Sequence, residues 1–83
     1  MSKKTTNISI GVPLPVFANC TLPEIKERLI DGLDSYCKTK TLKEAHDKNV
    51  RMTVRIDKDV ANKIRAIADF RDMTIVDFTS KLF

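Results

Sequence analysis

The 83 residues include only two glycines, one histidine and two cysteines, and each scarcity removes a class of chemistry. Gly11 and Gly32 stand alone, so no glycine-rich loop can cradle a nucleotide phosphate. His46 is the sole histidine and lies in a polar stretch, which leaves no Ser/His/Asp or Cys/His catalytic set. Cys20 and Cys37 are too far apart for a metal knuckle, and nothing else completes a ligand set. Both are expected as free thiols in a reducing compartment. Asp57 and Asp59 sit at a helix start, where capping explains them. No enzyme activity, metal or cofactor is expected. No apolar run is long enough to span a membrane, and no stretch looks like a cleaved signal. A soluble, cytoplasmic protein is expected.

At this length a single core is near the margin, and oligomerisation is a natural way to complete it. The net charge of +4 and pI near 9.3 suggest an acidic partner. The excess is spread evenly: residues 49–83 hold seven Lys/Arg against five Asp, and residues 1–48 hold eight against six acids. Placement, not total charge, has to carry the argument.

Placement is clearest in Val50 to Ile56. Val50, Met52, Val54 and Ile56 fall on one face of a strand; Arg51, Thr53 and Arg55 fall on the other, with no acid among them. Asp57 ends the strand and is a good N-cap for a helix from about Lys58 to Arg71, with Val60, Ile64, Ile67 and Ala68 as its stripe. Thr74 with Asp77 opens a second helix carrying Ile75, Phe78 and Leu82 on one face.

Upstream, Thr21 with Glu24 forms a capping box, and Ile25, Leu29, Ile30, Leu33, Tyr36 and Cys37 follow at helical spacing. Gly32 weakens that helix by roughly 1 kcal/mol relative to alanine. Lys38 to Asn49 is polar and reads as a short helix or a linker. Residues 1–20 read as a basic, flexible tail, 21–49 as an N-terminal helix and polar linker, and 50–83 as the functional domain. Within the tail, Ile8, Ile10 and Val12 alternate, but Pro13 and Pro15 argue against a central strand there. A tandem repeat is a weaker reading. Ile8–Val12, the Thr21 helix and a Thr41–Glu44 capping box echo strand, helix, helix, and the Pro13–Cys20 insertion argues against it.

A lone strand leaves its backbone groups unpaired. Either Asn7–Val12 pairs with Val50–Ile56, or the same strand of a second chain does. The prolines and the intervening helix favour the second choice. The expected fold is mainly α with one short strand. Two chains share an antiparallel ribbon, an N-terminal amphipathic helix precedes it, and Val50, Met52, Val54, Ile56, Ile64, Ile67, Phe78 and Leu82 form the dimer core. Such a ribbon fits the major groove of DNA, where arginine bonds guanine bidentately.

The run Arg51-Met-Thr-Val-Arg-Ile-Asp-Lys-Asp-Val-Ala-Asn-Lys-Ile through Met73-Thr-Ile-Val-Asp-Phe resembles the ribbon-helix-helix family of DNA-binding proteins, of the Arc, MetJ and CopG type. The resemblance covers about the last 35 residues. It implies base contacts from Arg51, Thr53 and Arg55, and a phosphate held by N–H groups at Thr74 and Ile75; Lys58 is a further candidate phosphate contact. Two features depart from the family pattern. Asp72 stands where the inter-helix turn often has glycine, and the second helix is expected to stop about a turn short, at Phe83. An extension before the ribbon is similar to that of small plasmid centromere-binding proteins.

The bland readings are plain. Exposed strand arginines often only keep a sheet soluble, and threonine is common on any strand. Lys58, Lys63 and Arg65 read as solvated helix charges ahead of phosphate ligands, and Lys3 and Lys4 as a solvated start. Phe70, Phe78 and Phe83 read as core or dimer interface, and His46 as a surface linker residue. The expected function is a homodimeric, sequence-specific binder of double-stranded DNA, of higher order on adjacent half-sites. It would act as a repressor and autoregulator, with plasmid partition as one setting. The alternative is a protein-binding module of the antitoxin or relaxosome-accessory type, whose residues 1–38 dock on a partner.

Overall fold

A strand, not a helix, opens the fold. In the computed structural model, which describes residues 4–43 and 48–83, β1 (Thr5–Pro13) is followed by α1 (Leu14–Asn19) and α2 (Leu22–Thr39). Then come β2 (Asn49–Asp57), α3 (Lys58–Phe70) and α4 (Ile75–Ser80). Expectations placed on Lys3, Glu44, Ala45 and His46 lie outside the described residues.

β1 and β2 pair antiparallel within the one chain, from Thr5 opposite Asp57 to Pro13 opposite Asn49. This corrects the expected fold: the ribbon is not shared between chains, the described residues hold two strands rather than one, and the helices α1 and α2 lie between those strands instead of ahead of the ribbon. The objection from the prolines fails on geometry. Gly11 sends its N–H to Thr79 instead of across to Arg51, so the odd residues of β1 turn their backbone groups away from β2. Pro13 has that same outward phase, so its missing N–H removes nothing from the ladder. Pro15 lies in the first turn of α1, where helices tolerate it. The long connection is no barrier either. Closure entropy rises logarithmically, so residues 14–48 cost only about 2 kcal/mol more than a four-residue turn.

The order strand–helix–helix therefore occurs twice, in matching phase. Each first helix starts directly after its strand, and the residues before α1 and α3 share nearly one conformation (Pro13 φ −55°, ψ 138°; Asp57 φ −55°, ψ 137°). The Pro13–Cys20 stretch that counted against a repeat supplies the first half's leading helix. Thr41–Lys43 carries no helix.

Even-numbered strand residues face the core. Ile8, Ile10, Val12, Val54 and Ile56 are buried with Ile25, Leu29, Leu33 and Tyr36 of α2, Ala61, Ile64 and Ala68 of α3, and Phe78 and Leu82. Met52 and Ile67 are partly buried against this cluster and Val50 is half-buried. The residues expected as a dimer core thus pack within one chain. Phe78 meets Tyr36 edge to face at 5.4 Å. Phe70, by contrast, is 90% exposed.

Two close approaches depend on glycine. A Cβ on Gly32 would run into the Leu82 carbonyl, so the residue that weakens α2 locally is what lets the chain beyond α4 pack on it. A Cβ on Gly11 would lie 2.5 Å from the Val76 carbonyl oxygen. α4 covers the outward edge of β1 there, and Thr79 Oγ1 accepts the Gly11 N–H at 2.9 Å. The capping box of α2 is in place. Glu24 Oε1 accepts from the Thr21 N–H at 3.2 Å and from its hydroxyl at 2.9 Å, which holds the Glu24 carboxyl below its ordinary pKa of 4.5.

Candidate nucleic-acid interface

Period-two alternation puts the odd residues of both strands on the face opposite the core. Arg51, Thr53 and Arg55 of β2 are all exposed there, facing Gly11, Ser9 and Asn7 of β1 respectively. Asn7 is exposed and Ser9 half-buried; Gly11 is buried beneath α4, and Pro13 is buried too. Between Asn7 and Ser9 on one strand and Arg51 and Arg55 on the other, no acid interrupts the face. Arg55 is held across the ribbon, its Nε donating to Thr5 Oγ1 at 2.7 Å. A tethered guanidinium loses less rotamer entropy on binding than a free one.

Beside Arg51 the face deepens into an open hollow of about 560 Å³. Asn7 and Ser9 border it from β1, Arg65 from α3, and Thr74, Ile75 and Val76 from the start of α4. Two arginines and hydrogen-bonding groups line it without any carboxylate, a set suited to an anion. The turn before α4 explains how its start is aimed. Asp72 adopts a left-handed conformation at φ 57°, its N–H bonds the Asp69 carbonyl, and the Met73 N–H bonds the Ala68 carbonyl. Thr74 then caps α4, its Oγ1 accepting the Asp77 N–H at 3.1 Å. The left-handed conformation at Asp72 is one that glycine adopts without penalty.

The structure brings most of the expected site together. Arg51, Thr53 and Arg55 share one face, with Thr74 and Ile75 beside Arg51. Lys58 is elsewhere. It lines a separate hollow with Lys4, Asp57 and Asp59, where two carboxylates offset the lysines for a phosphate. Two residues escape the sequence reading as site members, Asn7 and Ser9, and Arg65 reads there as a solvated charge ahead of a phosphate ligand. The first two alternate with Ile8 and Ile10, so their face was readable once β1 counted as a strand. Arg65 carries no local signal, because only the packing of α3 and α4 sets it across from Arg51.

Among the described residues, no group of three or more His, Cys, Asp or Glu is placed to hold a metal ion. Cys20 and Cys37 are free thiols, both half-buried. No helix of the described residues is long and apolar enough to cross a membrane. No family model, no curated protein and no solved structure matches the chain.

Proposed function

We propose that the chain is a sequence-specific binder of double-stranded DNA that lays the outer face of its ribbon into the major groove. One observation carries this: the ribbon face from Arg51 to Arg55 presents two exposed arginines and no acid, and it adjoins a hollow lined by Arg51, Arg65 and the start of α4. A two-stranded ribbon has the width the major groove admits. Arg51 and Arg55 read guanine edges, and Thr53 makes the central contact. Arg65, with the N–H groups at Thr74 and Ile75, holds a flanking phosphate. The ribbon-helix-helix likeness of residues 51–78 points the same way. A role as repressor and autoregulator fits such a reader, and so does binding a plasmid partition site. The ribbon closes within one chain, so association of copies on neighbouring DNA sites is separate from building the reading face.

The protein-docking alternative rested on an uncovered apolar stripe on the Thr21 helix. Ile25, Leu29, Leu33 and Tyr36 are buried in the chain's own core, which leaves Ile30 as the exposed large apolar residue of that stripe and gives the alternative less support.

Binding of the full chain to duplexes from a random pool, compared with Arg51→Ala and Arg55→Ala, tests the proposal. Each substitution is expected to cost roughly 1–3 kcal/mol at the preferred sequence and to relax preference at its base. Unchanged binding by both variants would reject the ribbon as reader.

A further inference from the structure

The pairing of β1 with β2 has a consequence for the symmetry of the target. Two identical strands would present a face with twofold symmetry. Here the local dyad of the ribbon runs through the central pair, Ser9 and Thr53. It relates Asn7 to Arg51 and Gly11 to Arg55, and it relates the start of α1 to the start of α3. At the dyad the face is nearly symmetric, one hydroxyl opposite another. At the ends it is not.

One end pairs Arg55 with Asn7, and both are exposed. The other pairs Arg51 with Gly11, which has no side chain and is buried under the Val76 carbonyl and Ser80. Arginine matches the paired acceptors of guanine, and an asparagine amide matches the donor and acceptor of adenine. The first end therefore offers two base-reading groups, the second end one. The hollow lined by Arg51, Arg65, Ser9 and Asn7 adds a backbone anchor on the α4 side of the ribbon, with no counterpart among its lining residues from α1.

We propose, resting on the DNA reading above, that one chain recognises a duplex segment without dyad symmetry, with guanine selected at both ends and adenine selected by Asn7 at one end only.

The test is selection from a random duplex pool by the full chain, followed by native mass spectrometry of the selected complex. The expected result is a non-palindromic motif bound by one chain per site. Asn7→Ala should relax selectivity about 5- to 150-fold at the end that Arg55→Ala also affects, and Arg51→Ala should act at the opposite end. Asn7→Thr introduces a strand-favouring residue, so if the alanine variant folds poorly it should show the same loss of selectivity on a stable strand. A dyad-symmetric motif, two chains on the minimal site, or an Asn7 variant with unchanged selectivity would overturn the inference while leaving DNA binding intact. A pool from which nothing is enriched would overturn the DNA reading, and this inference with it.

Discussion

Thr79 Oγ1 accepts the N–H of Gly11 at 2.9 Å, tying the last helix to the first strand across 68 positions of sequence. Both residues are buried, and the same hydroxyl reaches the Ile75 carbonyl at 2.7 Å. Thr79→Val keeps the shape but leaves a buried N–H unpaired, so it should cost about 1–3 kcal/mol in denaturant unfolding. Gly11→Ala pushes a methyl into the Val76 carbonyl and should cost a similar 1–3 kcal/mol. If neither variant lowers the unfolding midpoint, α4 does not seal the β1 edge.

Asp72 at φ 57° holds a conformation that glycine adopts without penalty. Asp72→Gly is expected to stabilise the fold by about 0.5 kcal/mol, raising the melting midpoint by about 2–4 °C. It also removes a negative charge two residues before Thr74, so DNA affinity should rise. Asp72→Asn separates the two effects, raising affinity with little change in melting. A less stable Asp72→Gly protein would contradict the left-handed turn.

Glu24 supplies a pH signature. Its carboxylate accepts two bonds from Thr21, so its pKa is lowered in the folded chain. A lowered carboxyl pKa gives stabilisation that is present above the unfolded value, near 4.5, and fades as pH falls through the folded value. Wild type should therefore exceed Glu24→Gln in stability at neutral pH, and the gap should close in acid. Thermal melts of both proteins between neutral pH and pH about 3 would check this; a gap independent of pH would contradict it.

Arg65 is assigned to a phosphate, not a base. Arg65→Ala should flatten the slope of log K against log salt by about 0.9 and leave sequence preference unchanged. A changed preference with an unchanged slope would move Arg65 to the reading face.

Where the local pattern was decisive, the sequence was legible. Val50–Ile56 alternates without a break, and capping residues mark Thr21 and Thr74, so β2, α2 and the last two helices could be read. The face shared by Arg51, Thr53 and Arg55 follows from period two alone. β1 was harder. Its alternation was visible, but whether Pro13 harms a ladder depends on which way its absent N–H would point, and register decides that. α1 buries no residue and so shows no stripe. Asn7 and Arg65 join the site through strand pairing and helix packing between distant parts of the chain, which no local window records. The lysine expected at a phosphate, Lys58, shares its hollow with its own sequence neighbours Asp57 and Asp59, so that acidic surrounding was already present in the local sequence.

The most direct test is an NMR titration of the isotopically labelled full chain with duplex DNA carrying its preferred sequence. Shifts should concentrate at Asn7, Ser9 and Arg51 to Arg55, with Arg65, Thr74 and Ile75 beside them. The exposed acidic side of α2, at Glu24, Glu27 and Asp31, should stay still. Shifts confined to α1 and α2, with the ribbon face unmoved, would contradict the account.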